Sequence, residues 1–112
     1  MNLKTIIFIL LLGNVAFHLL PAILLGFETS TRELFFPGLI IFAMALTWLR
    51  PGGPGWVKWP SLLIPLIGGP FFVVSRLATS THPDWMNFGL IGFDIACCLA
   101  VAMYIFRPTQ TA

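Results

Sequence analysis

Charge is scarce in this sequence. Only 9% of its 112 residues are Asp, Glu, Lys or Arg, too few to coat a water-soluble domain. The six basic residues are scattered at Lys4, Arg32, Arg50, Lys58, Arg76 and Arg107, with no cluster to follow a phosphate backbone, so nucleic acid is excluded as a partner. Cysteine is nearly missing too. The two that occur, Cys97 and Cys98, are neighbours inside an apolar segment and cannot supply the spaced framework of a disulfide-stapled domain. A nucleophile constellation, a phosphate-cradling glycine loop and metal-ligand spacing are all absent, so no cofactor and no metal site are expected. Two histidines, His18 and His82, could in principle be axial haem ligands, but their expected depths differ too much to bracket one haem.

What the chain has instead is hydrocarbon. Hydrophobic residues make up 58% of it and its mean hydropathy is +0.95. A bilayer core needs roughly 20 apolar residues per helix, so a chain of this length holds about four crossings and leaves no room for a soluble domain. Residues 1–112 are therefore read as a single transmembrane domain with helices at about 5–27, 31–49, 60–78 and 85–106. The first apolar run continues to Phe27, too long for the core of a signal peptide, and is read as a retained helix. Ser30-Thr31-Arg32-Glu33 matches a capping box opening the second helix. The stretch Arg50-Pro51-Gly52-Gly53-Pro54-Gly55 is a loop, and Trp56 and Trp59 flank Lys58 as rings and a cation do at headgroup level. Asp84 is placed to cap the fourth helix. Lys4, Arg50, Lys58 and Arg107 fall on one side, against Arg32 and Arg76 on the other. The positive-inside rule then puts both termini in the cytoplasm, with the plasma (inner) membrane as the expected location. The expected fold is an all-α integral membrane protein, a compact bundle of four transmembrane helices with both ends inside.

An aspartate interrupts the fourth apolar run, IGFDIACCLA. At a rise of about 1.5 Å per residue Asp94 lies roughly 14 Å from the outer end of its helix, near the bilayer midplane. An unpaired carboxylate there costs on the order of 3 kcal/mol or more, so it is protonated, paired or facing water. His18 lies at a matching depth in the first helix, and Asn14, four residues away, shares its face. Asn87 is seven residues before Asp94 on the same stripe. In the third helix, Pro70 of Gly68-Gly69-Pro70 removes the bond the Leu66 carbonyl would accept, so that helix is expected to be broken there, as Pro21 frees the Phe17 carbonyl in the first. The expected ligand or proton site is Asn14, His18, Gly68, Gly69, Pro70, Asn87 and Asp94, with Asp94 and His18 the catalytic candidates should there be chemistry. Against this stands a plainer reading for each: Asp94 as an interhelical hydrogen bond that fixes packing, His18 as a locally bonded ring, Cys97 and Cys98 as inert packing. Gly92, Ala96 and Ala100 form a small-residue face for another helix, within the bundle or in a second copy. Arg76 is expected to snorkel or to pair with Glu28, Glu33 or Asp84.

In size and helix count the chain resembles the small multidrug transporters, which also embed a carboxylate within four short helices. Their acid lies in the first helix, where this chain has Asn14, and none of their motifs is matched, so no family is claimed. Three functions compete. The first is a non-catalytic module, either an accessory subunit of a larger membrane complex or a binder of a hydrophobic small molecule. A proton-coupled transporter or channel, homo-oligomeric and using Asp94 and His18, is the second. A small membrane enzyme moving protons between the same two residues is the third.

Overall fold

The computed structural model describes residues 2–79 and 82–107, apart from the side chains of residues 29 and 30. It is all-helical: α1 Leu3–Leu25, α2 Thr29–Thr47, α3 Lys58–Ser75 and α4 Asp84–Phe106, with 3-10 turns at Gly55–Val57 and Leu77–Thr79 and no strand among the described residues. Three stretches, Leu3–Leu25, Gly55–Ser75 and Asp84–Phe106, are long and apolar enough to cross a membrane. Helix α2 differs from these because its first turns carry Thr31, Arg32 and Glu33, and its apolar run begins only at Leu34.

The helix starts follow from local chemistry. Asn2 caps α1, its side chain accepting from the Thr5 amide at 2.9 Å. Helix α2 begins two residues before the sequence suggests, with Glu28 at the N-cap position and Thr31 one turn in: the Thr31 hydroxyl accepts from the Glu28 amide at 2.8 Å and donates to the Gly26 carbonyl at 2.8 Å. The Ser30 side chain lies outside the described residues. Gly26 takes a φ of +94°, which lets the chain reverse between α1 and α2. Asp84 is not the cap of α4 but its first residue, where a carboxylate still meets the positive end of the helix dipole. The expected break in α3 is not an interruption: the helix runs from Lys58 to Ser75 through Gly68, Gly69 and Pro70. One proline removes one backbone bond, and a helix packed against a neighbour can tolerate that loss.

Helix α1 packs along both α2 and α4, and α3 packs along α4, whereas α2 and α3 barely meet. The α1–α4 seam is close because rings lie over glycines. Phe93 covers Gly13 and Phe17 covers Gly89, so that a side chain at either glycine would overlap a ring, and the two rings stand 5.4 Å apart.

The two ends of the bundle are packed differently. At the end holding the N-terminus and the 48–57 connection, Ile7, Leu11, Ile41, Ala45, Trp48, Cys97 and Val101 form a closed core. Trp48 donates to the Ser61 hydroxyl at 3.0 Å and stacks edge-on against Tyr104, over which Arg107 sits at 4.5 Å. Toward the opposite, hairpin end, the weak α2–α3 contact leaves a cavity. The outer surface carries exposed Ile23, Ile40, Phe71, Val74, Leu99 and Met103, the kind of surface that suits hydrocarbon rather than water.

Candidate functional site

Asn14 is the middle residue of α1 and Asp94 lies at the middle of α4, so the antiparallel packing of the two helices brings them level. The Asn14 side chain donates to Asp94 Oδ1 at 2.8 Å and lies 3.9 Å from Cys97 Sγ. Both residues are buried, Asn14 completely and Asp94 to within 7% exposure. Among the described residues the Asn14 side-chain oxygen has no hydrogen-bond partner.

His18 sits one turn from Asn14, and its Nδ1 lies 2.8 Å from the Asn14 backbone oxygen. A carbonyl only accepts, so Nδ1 carries the proton and Nε2 is left as the nitrogen available to the cavity that the ring lines. Histidine and aspartate therefore share a space without sharing a bond. Gly38 lets α2 approach α1 closely beside His18, because any side chain there would press on the His18 Cβ.

Gly69 is the point where α3 meets the acid: a Cβ built on it would stand 3.4 Å from Asp94 Oδ2. Gly68 faces open space beside the same cavity, and Pro70 lines a groove on the other side of Asp94. Asn87 is buried on the Asp94 stripe but does not join the centre, since its side chain turns to the His82 carbonyl at 3.4 Å, near the hairpin end. Of the sequence-derived set, Asn14, His18, Gly68, Gly69, Pro70 and Asp94 converge, and Asn87 stands apart.

Two spaces meet at Asp94. The first, about 220 Å³, lies among all four helices and is lined by His18, Gly68, Leu90 and Asp94, with Glu33 and Arg76 in its wall. Those two pair with each other, so Arg76 takes Glu33 as its partner from the three acids the sequence offered. The second, about 400 Å³, is a groove on the α3–α4 surface lined by Pro65, Leu66, Gly69, Pro70, Val73, Ile91, Ile95 and Cys98, with Asp94 as its one ionisable carboxyl. Cys98 lies 3.9 Å from the Leu62 carbonyl and contributes a polarisable wall.

The glycines that set the geometry, Gly13, Gly38 and Gly89, were not singled out by sequence; each is recognisable only once the ring opposite it is known. In the small-residue face, Ala100 is buried, Ala96 half-buried and Gly92 exposed with open space around it, so the face is only partly used within the chain. Compared with protein-family models, with curated proteins and with solved structures, the chain matches none.

Proposed function

We propose that the protein is a non-catalytic membrane module that holds a hydrophobic small molecule in the α3–α4 groove, with the Asp94 carboxyl as the polar anchor. The observation that carries this reading is the lining of the groove: a wholly apolar wall from two helices, with Asp94 among its lining residues and the Asp94 carboxyl held on Asn14 just behind that wall, where a small rotation would present it to a ligand. Binding sites for small molecules combine an apolar wall with a few placed polar groups, and about 400 Å³ falls in their usual range of about 300–1,000 Å³. The enzyme reading has less support, since His18 is bonded to its own helix and stands in the other cavity. A through-channel is disfavoured by the closed core below Asp94, where Ile7, Leu11, Ala45 and Val101 leave no passage.

In this reading α2 is a fourth crossing, its Arg32 and Glu33 at headgroup level, and both termini are cytoplasmic in the plasma membrane. The exposed part of the Gly92, Ala96 and Ala100 face is where a second copy or a larger complex docks. The test is to extract small molecules from purified wild-type protein and from Gly69→Leu, whose added side chain fills the groove beside Asp94, and to compare them by mass spectrometry. A compound retained by the wild type and lost from the variant supports the proposal; identical extracts, in a variant that keeps its thermal stability, rule it out.

A further inference from the structure

The cavity among the four helices is asymmetric in a way the groove is not. It reaches Asp94 from the hairpin end, between the loosely packed α2 and α3, and stops at the closed core of Leu11, Ile41, Ala45 and Cys97. Its wall is unlike the rest of the interior: His18 from α1, Glu33 from α2, Arg76 beyond the end of α3 and Asp94 from α4 all border it. Most of the remaining lining is apolar, Ile41, Ile64, Phe71 and Phe72 among it, so the four ionisable side chains are the polar partners the space offers, and a water needs only about 30 Å³ and two to four of them.

The geometry points to a one-sided aqueous vestibule, through which water and protons reach the Asp94 carboxyl from the hairpin end of the bundle and from nowhere else. Its mouth is the Arg76–Glu33 ion pair, an exposed pair that opens at little cost. Inside, a proton leaving the Asp94 carboxyl breaks its O–H bond and passes to a vestibule water, and the return step reverses this. His18 Nε2 is a side-chain acceptor on the same cavity. The groups facing the carboxyl are Asn14 and His18 from α1, Glu33 from α2, the Gly69 backbone and Arg76 from the α3 side, and Cys97 and Cys98 on α4 itself. The bonded neighbour, Asn14, is uncharged and Arg76 is paired with Glu33, so water in the cavity is left to solvate a charge at Asp94. The inference does not depend on what the groove holds, because the two spaces lie on different sides of the same residue.

Single cysteines test it, in the full chain with Cys97→Ala and Cys98→Ala, reconstituted in sealed vesicles. Ag⁺ is added to one face at a time, the protein is then unfolded, and remaining thiols are alkylated and weighed. Gly26→Cys and Gly52→Cys, in the connections at opposite ends, report which face each end occupies. Asp94→Cys, Gly68→Cys and Leu90→Cys are expected to be blocked by Ag⁺ from the Gly26 face only, and Leu11→Cys and Ala45→Cys from neither. Gly68 faces open space, so its variant keeps the packing even where Asp94→Cys does not fold. Failure of Ag⁺ to block positions 68 and 90 from the Gly26 face, or equal blocking from both faces, overturns the inference.

Discussion

A single donor, the Asn14 amide, meets the carboxyl that the rest of α4 makes expensive to bury. Hydrogen bonds between membrane helices contribute about 0.6 kcal/mol on average and up to about 1.7 kcal/mol, so Asn14→Ala should lower stability by about 1 kcal/mol and by no more than about 2 kcal/mol. Reversible unfolding in mixed micelles measures this. Asp94→Asn keeps the size and the bond partner and should cost less than Asn14→Ala. If the order is reversed, Asp94 has a structural role larger than one hydrogen bond. Asp94 was legible in the sequence because an acid inside an apolar run has nowhere to hide, and Asn14 and His18 followed from depth alone. The local bond of His18 was one of two readings the sequence offered, and spacing could not choose between them, since both a local carbonyl and a distant carboxylate lay within reach of the ring.

Among the elements, α1 and α4 are held by reciprocal ring-on-glycine contacts, Phe93 over Gly13 and Phe17 over Gly89. Forcing a side chain into such a seam costs about 1–3 kcal/mol. Gly89→Leu is expected to lose that much stability, and adding Phe17→Ala to return much of it, an energetic coupling that a double-mutant cycle reads directly. Additive losses would show that the two residues do not touch. Pro70 carries a different expectation. Because α3 is helical through it, Pro70→Ala restores one backbone bond and should leave the far-ultraviolet circular dichroism unchanged, whereas a clear gain of helical signal would reveal an interruption at that point. The sequence exposed the proline but not its consequence: a missing donor is visible in the residue type, while the support that keeps the helix continuous comes from α4.

At the scale of the whole molecule, hydropathy made the helices and their approximate limits legible, because a bilayer dictates both the length and the composition of what crosses it. The difference between the two ends was hidden. It arises because α2 and α3 share little contact, and neighbour order within a bundle leaves little trace in the polarity of single helices. Helix α2 is the least apolar of the four and the one whose crossing most needs testing. A glycosylation acceptor placed in the 48–57 connection, compared with one between α1 and α2, is expected to be modified only where that segment faces the lumen, never in both variants. Modification of both would mean that α2 does not cross.

In the proposed function Asp94 anchors a small molecule in a non-catalytic module. Native mass spectrometry of the protein gently released from its own membrane, wild type beside Asp94→Asn, tests it most directly. The wild type is expected to carry an added small-molecule mass that the variant fails to retain, with both chains equally folded. The same bound mass on both proteins, or none on either, would contradict it.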